Sequence, residues 1–169
     1  MECVGRFAAK SQQVLNVQCD NIVPSDQGDL GACLNAELTS WTADQVVLSR
    51  RKTNYIARKA HSDNNQFLGF YLARNIADFV ELLFICVLPN LRQQGVGRLL
   101  MSDLFIESQK LKVKSLELEV RESNMAAIKL YTDCGFTEVG RRENYYPADQ
   151  TGENRLSSES AVLFGRALS

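Results

Sequence analysis

Residues 91 to 98, with the sequence Leu-Arg-Gln-Gln-Gly-Val-Gly-Arg, have the composition of a loop that binds an anion. They follow the apolar run Val80 to Val87, which predicts a buried strand, and precede the periodic segment Leu99 to Leu111, which predicts a helix. The first N–H groups of a helix lack internal partners and carry a partial positive charge. Glycines let the backbone approach a phosphate closely. The order of these elements therefore predicts a site for a phosphorylated ligand.

Two common phosphate-binding motifs are excluded by the residues at the helix start. A P-loop ends in Gly-Lys-Ser or Gly-Lys-Thr, whereas Gly97 is followed here by Arg98 and Leu99. A dinucleotide fingerprint has a third glycine three residues after the second, where this chain has Leu100. A glycine turn that only joins a strand to a helix remains open from loop chemistry alone.

Two side chains with acid–base chemistry follow this loop. Glu119 belongs to an alternating segment that predicts a strand over residues 115 to 121, and Tyr131 belongs to a helix that Asn124 caps. A carboxylate can accept a proton from a reacting group, and a tyrosine can donate one. Spacing alone also fits a solvated strand face for Glu119, and on spacing Glu117 is an equal candidate for the acid–base carboxylate. It equally fits core packing for Tyr131 and a plain cap for Asn124.

A family resemblance becomes specific in the second half of the chain. Residues 118 to 131 read Leu-Glu-Val-Arg-Glu-Ser-Asn-Met-Ala-Ala-Ile-Lys-Leu-Tyr, residues 134 to 136 read Cys-Gly-Phe, and residues 141 to 147 read Arg-Arg-Glu-Asn-Tyr-Tyr-Pro. This run resembles protein N-terminal acetyltransferases of the GNAT superfamily. Within them it resembles the RimI branch, which acetylates the N-terminal alanine of a small-subunit ribosomal protein. The Arg-x-x-Gly-x-Gly pattern at residues 92 to 97 is similar to their acetyl-CoA pyrophosphate loop.

The resemblance implies roles for the matching residues. Glu119 matches the general base, and Tyr131 matches the acid that protonates the departing thiolate. A backbone N–H of the strand, that of Val87, matches the donor to the thioester oxygen. Tyr145 and Tyr146 match the groove for the acceptor peptide. The residues implied in acetyl-CoA binding are Ile85, Cys86, Val87, Arg92, Gln93, Gln94, Gly95, Val96, Gly97, Arg98 and Asn124.

The same resemblance predicts direct transfer in a ternary complex, because no cysteine matches a nucleophile position, and it implies no metal. Two positions depart from the pattern: Phe84 replaces a residue that is often polar, and Leu88 stands where an acidic residue commonly precedes the proline. We expect Phe84 to reshape the peptide side of the site. Two other functions stay open, namely a GNAT enzyme for small amines or lysine side chains, and a non-catalytic acyl-CoA-binding domain.

Composition limits the compartment and the partners. The chain has 169 residues, 45% of them hydrophobic, and a net charge of −1, which is ordinary for one soluble domain and argues against general nucleic-acid or anionic-membrane binding. Its five cysteines include no Cys-x-x-Cys pair, so we expect free thiols in a reducing cytoplasm. No apolar run is long enough to span a membrane.

The periodicity predicts a single α/β domain over residues 13–169, after an N-terminal extension of residues 1–12 with weak patterning. The predicted order of strands and helices gives a mixed α/β (α+β) domain around a largely antiparallel sheet of about seven strands, with about four helices. The resemblance implies that this is the GNAT fold. His61, the only histidine, falls in a polar stretch between two strands, so we expect an exposed loop residue rather than a base. We expect Arg141 and Arg142 to form a solvated basic pair.

Overall fold

A computed structural model describes residues 4–8, 14–35, 37, 41–147 and 158–168. Eight strands and four α-helices are formed in these ranges, with short 3₁₀ turns at residues 24–26 and 89–91. In chain order the elements are β1 (Val4–Ala8), β2 (Val14–Asn21), α1 (Gln27–Asn35), α2 (Ala43–Ser49), β3 (Tyr55–Ser62), β4 (Phe67–Ile76), β5 (Phe79–Val87), α3 (Val96–Lys110), β6 (Ser115–Arg121), α4 (Met125–Asp133), β7 (Thr137–Tyr146) and β8 (Glu159–Ala167). None of the described helices is both long and apolar enough to cross a bilayer.

The strands form one sheet in the order β1-β2-β3-β4-β5-β6-β8-β7. All neighbours are antiparallel except β5 and β6, which are parallel and are joined by the crossover helix α3. The predicted fold class, a mixed and largely antiparallel sheet with four helices, is confirmed. The sheet has one strand more than the predicted seven, because Val4–Ala8 in the expected N-terminal extension pairs with β2.

Two apolar cores lie on opposite faces of the sheet. One is formed mainly by α3, α4 and the strand residues that face them, and includes Leu100, Leu104 and Tyr131. The other is formed by α1, α2 and the opposite strand face, and includes Leu30 and Val46. We call them the α3-side core and the α1-side core. The central strands are covered on both faces, which explains why β4 and β5 are apolar almost throughout.

The single histidine does not lie in an exposed loop, as the sequence suggested. His61 is buried within β3, and its ring contacts the Asp20 carboxylate at 2.8 Å and the Ser62 carbonyl at 3.1 Å. The prediction was wrong because β3 continues through residue 62 and pairs with β2 beyond the predicted strand end. The correction leaves His61 as a structural residue that links two strands.

A glycine in β4 sets the position of the strand end that precedes the predicted anion loop. A Cβ on Gly69 would overlap the carbonyl oxygen of Cys86 and lie 3.0 Å from the Cα of Val87. Because both obstacles are backbone atoms, we expect Gly69→Ala to lower the free energy of unfolding by about 1–3 kcal/mol. Urea unfolding measures this loss. The matched strand variant Gly140→Ala, whose Cβ meets nothing within 4 Å, should be close to neutral, and equal losses would contradict the argument.

Candidate active site

An opening between β5 and β6 forms the centre of the site. The parallel pairing of these strands ends at Leu82 and Leu118, so the second half of β5 has only β4 beside it. The N–H of Leu88 bonds to the Leu68 carbonyl on the β4 side at 3.0 Å. Because backbone groups alternate along a strand, those of Val87 point to the opposite side, into the opening. A ligand lying there would meet strand donors and acceptors that β6 does not occupy.

The start of α3 faces the same end of β5. Gly95 is its N-cap and has φ of 90°, a left-handed conformation that favours glycine. No side chain in the described ranges caps this helix, so its first amides remain available to a ligand. Gln93 also has positive φ, at 58°, and Gln94 donates from Nε2 to the Asn90 carbonyl at 2.9 Å. The loop is therefore a tight turn that presents backbone N–H groups.

The arginine side chains on either side of this turn are held by the protein. Arg92 donates from Nε to the Val87 carbonyl at 3.1 Å and from Nη2 to Glu37 at 2.6 Å. Arg98 pairs with Asp133 of α4 at 3.0 Å. These contacts tie the loop to β5, to the segment after α1 and to α4. The predicted cofactor residues 92 to 98 are thus brought together with the strand that contains Ile85, Cys86 and Val87.

Glu119 lies on β6, just beyond the last residue that pairs with β5. Its side chain is 22% exposed, and its Oε1 is 3.0 Å from Nη1 of Arg142. Glu117, which had an equal claim from spacing, is exposed and lies at a level where β5 and β6 are still paired. Of the two carboxylates, only Glu119 lies beside the opening.

Tyr131 lies on α4 and is 5% exposed. Its ring packs against Phe136 and Phe164, with centroids 6.1 and 6.4 Å away. Burial raises the pKa of Tyr131 well above its ordinary value, and the nearby Tyr146 raises it further. The phenol therefore stays protonated at neutral pH. Core packing, one of the two interpretations that spacing left open, is therefore observed.

The two tyrosines at the end of β7 lie against the same region. The Tyr145 and Tyr146 rings meet edge to face at 5.1 Å, and Arg121 lies over the Tyr146 ring at 4.2 Å. Burial raises the pKa of Tyr146, and the Glu119 carboxylate raises it further. Tyr146 thus interacts electrostatically with both Glu119 and Tyr131. Its position links the two predicted acid–base residues.

Three further predicted residues have clear local contacts. Asn124 caps α4, with Oδ1 accepting from the Ala127 N–H at 3.1 Å, and it is exposed. Phe84 is half-buried, with its ring 5.5 Å from that of Phe70, and packs with Leu88 against the α1-side core. The two residues that depart from the family pattern therefore extend this apolar core up to the site.

None of the described cysteines forms a disulfide. Cys86 turns into the α1-side core and contacts Cys33 of α1, whereas Ile85 and Val87 pack on the opposite face. The hydrogen bond with Cys33, together with burial, raises the pKa of the Cys86 thiol. The Cys86 side chain is therefore part of the core. A protonated thiol on the far face of the strand is not a nucleophile for the acyl group.

Sequence reasoning missed two residues of this region. Arg142 is exposed together with Arg141, as expected, but the contact of its guanidinium with Glu119 was not predicted. Glu37 was not singled out, yet it pairs with Arg92 and contributes to the raised pKa of Tyr131. No local signal distinguishes Arg142 from Arg141, because the two are adjacent arginines. Only the strand pairing of β6, β8 and β7 decides which of them meets the carboxylate.

Comparison with known proteins agrees with this geometry. Residues 25–136 match the model of the acetyltransferase (GNAT) family, which covers more than half of the chain. The chain therefore belongs to the GNAT acetyltransferase family.

Two proteins similar in sequence, and one solved structure, are named for the same activity. The chain is 41% identical over 101 residues to a ribosomal protein bS18-alanine N-acetyltransferase of Haemophilus influenzae, covering 60% of this chain and 65% of that protein. It is 31% identical to the protein of the same name in Haemophilus ducreyi, covering 72% and 83%. The match thus spans just under two thirds of the first of these relatives. The crystal structure of the ribosomal-protein-S18-alanine N-acetyltransferase from Escherichia coli superposes with a TM-score of 0.77 at 27% identity, covering 90% of this chain and 94% of that one.

Proposed function

We propose that this chain transfers the acetyl group of acetyl-CoA to the N-terminal α-amine of a protein in the cytoplasm. We further propose that the acceptor is the N-terminal alanine of a small-subunit ribosomal protein. The observation that carries the proposal is the opening between β5 and β6, with the uncapped start of α3 at one side and Glu119 at the other. The bS18-alanine N-acetyltransferases to which the chain is similar support the choice of acceptor.

The residues present fit an acetyl-CoA cosubstrate. Its pyrophosphate oxygens can accept hydrogen bonds from the backbone N–H groups at the start of α3. The pantetheine arm has amide groups, and the backbone N–H and C=O of Ile85, two residues before Val87, point to the same open side of β5. Asn124 can keep its capping bond and still meet the carrier, because its side chain is exposed. The Val87 N–H is the donor that we assign to the thioester oxygen.

The chemistry requires one proton acceptor and one proton donor. The α-amine nitrogen bonds to the thioester carbonyl carbon, the C–S bond breaks, and the amine proton passes to Glu119, directly or through one water. Tyr131 gives its proton to the departing thiolate. Burial raises the pKa of Tyr131. An apolar environment also raises the pKa of the leaving thiol, so proton transfer from Tyr131 to the thiolate remains feasible.

An N-terminal amine suits this site better than a lysine. Only a neutral amine attacks, and an N-terminal amine has a pKa of about 7.7–8.0 against about 10.4 for lysine. A partly exposed carboxylate such as Glu119 suffices for an N-terminal amine. With a lysine, the same carboxylate would face a much larger fraction of charged amine. The exposed Tyr145 and half-buried Tyr146 are proposed to line the acceptor groove.

A peptide panel tests the proposal. The protein is incubated with acetyl-CoA and the N-terminal hexapeptide of the ribosomal protein, the same peptide with a blocked N-terminus, and a blocked peptide with an internal lysine, and the products are read by mass spectrometry. We expect acetylation of the free N-terminus alone. Acetylation of the lysine peptide would favour the broader amine specificity. Binding of acetyl-CoA by calorimetry without any acetylated product, on the peptides or on small amines, would favour a non-catalytic domain.

A further inference from the structure

Arg142 has a contact that the proposed chemistry does not yet use. It lies on β7 opposite Ala161 of β8, and Glu119 lies on β6 opposite Leu163 of the same strand. Ala161 and Leu163 are two residues apart and so share one face of the sheet. The Arg142 side chain can therefore cross β8 and meet the Glu119 carboxylate at 3.0 Å.

The same guanidinium also touches the predicted acceptor groove. Its Cζ lies 5.2 Å from the centre of the Tyr145 ring, and that ring packs edge to face on Tyr146. A cation over an aromatic face is attracted by the ring quadrupole. Arg142 thus contacts both the proposed base and the wall along which the acceptor would enter.

The other arginines nearby have different partners. Arg121 pairs with Glu159 at 3.2 Å and lies over Tyr146. Arg141 pairs with Glu138 of its own strand at 2.8 Å and lies 3.7 Å from Glu122. Among the ion pairs of the described residues, Arg142 is the cation that meets Glu119.

We propose that Arg142 is a positioning residue that orients the Glu119 carboxylate and links it to the acceptor groove. A glutamate has several rotatable bonds, and a charge-assisted hydrogen bond to one carboxylate oxygen restricts them. Oε1 is held by Arg142, and Oε2 is the oxygen that we assign to proton uptake. A base held in one orientation reacts more often in a productive geometry. This inference rests on the proposed function, because it assigns Glu119 the role of base.

A double-mutant cycle tests this proposal. We expect Arg142→Gln to lower kcat about tenfold, which corresponds to about 1.4 kcal/mol in the barrier, with KM for acetyl-CoA unchanged. Arg142→Lys, which keeps the charge but loses the planar guanidinium, should restore part of the rate. In a Glu119→Gln background, Arg142→Gln should change kcat less than about twofold, because the residue acts through the carboxylate.

The neighbouring Arg141→Gln is the matched control, since Arg141 has the same charge, the same strand and nearly the same exposure, 52% against 51%. It should leave kcat within about twofold of the wild type. Equal losses of kcat in the two variants, or an undiminished effect of Arg142→Gln in the Glu119→Gln background, would overturn the role of Arg142. Neither result would contradict the proposed function. A wild-type protein that acetylates no peptide would overturn the proposed function first, and the role of Arg142 with it.

Discussion

Replacing Tyr131 by phenylalanine should lower kcat by at least about 10²-fold, within the range of about 10²–10⁴ that general acid catalysis contributes. The hydroxyl is the proposed proton donor to the leaving thiolate, and burial with a raised pKa keeps it protonated. Because the ring packs in the α3-side core and is retained in phenylalanine, the fold should be preserved. Steady-state kinetics with the acceptor peptide measure the loss, and calorimetry should find acetyl-CoA affinity largely unchanged.

A tyrosine remote from the site is the control. Tyr55 lies on β3, beside Lys52, and Tyr55→Phe should leave kcat within about twofold. The pH profile gives a second test: with the pKa of Tyr131 raised above its ordinary value of 10.0, the wild-type kcat should show no alkaline fall between about pH 7 and 10. An unchanged kcat in Tyr131→Phe would remove this residue from the chemistry.

Replacing Asp103 by alanine should lower the free energy of unfolding by about 3–5 kcal/mol, since it breaks a buried ion pair and leaves one charge behind. Asp103 is 1% exposed on α3 and accepts hydrogen bonds from Arg58, at 2.9 and 3.0 Å, and from the Tyr71 hydroxyl, at 2.9 Å. Arg58 would retain only Glu107, 3.8 Å away, as a nearby carboxylate. Urea unfolding followed by circular dichroism measures the loss.

The half-exposed pair of Arg74 and Glu81 is the control for this measurement. These side chains are 38% and 26% exposed, and Glu81→Ala should cost no more than about 1 kcal/mol because solvent screens the pair. Asp103→Asn, which retains an acceptor for the Tyr71 hydroxyl, should lose less than Asp103→Ala. We call Asp103, Arg58 and Tyr71 the Asp103 cluster. Similar losses in the free energy of unfolding at positions 81 and 103 would show that burial of this cluster contributes little to stability.

The Asp103 cluster also matters for the active site. Asp103 is on α3, Arg58 on β3 and Tyr71 on β4, so the cluster fixes α3 against the centre of the sheet. The start of the same helix provides the amides that are proposed to bind pyrophosphate. If these amides bind pyrophosphate as proposed, the placement of this one helix connects stability and ligand binding.

Much of the fold followed from local patterns in the sequence. The alternation in residues 115–121 predicted β6 with the bounds that are observed, and Asn124 and Gly135 marked the two ends of α4. The strand, glycine turn and helix at residues 80–111 predicted the anion loop, because each of these signals depends on residues close together in the chain. Strand ends were less predictable. β3 continues through His61, in the predicted polar stretch, because pairing with β2 provides backbone partners that no local pattern encodes.

The sequence by itself determined the α+β class and predicted the loop before α3, and through family resemblance it led to the proposal that Glu119 and Tyr131 take part in the chemistry. Only the tertiary structure decided that His61 is buried and that Glu119 rather than Glu117 lies beside the opening. It also decided that Arg142 rather than Arg141 contacts the Glu119 carboxylate. The physical reason is the distance along the chain between partners. Helix caps and strand alternation act over a few residues, whereas an ion pair across β8 depends on the register of three strands.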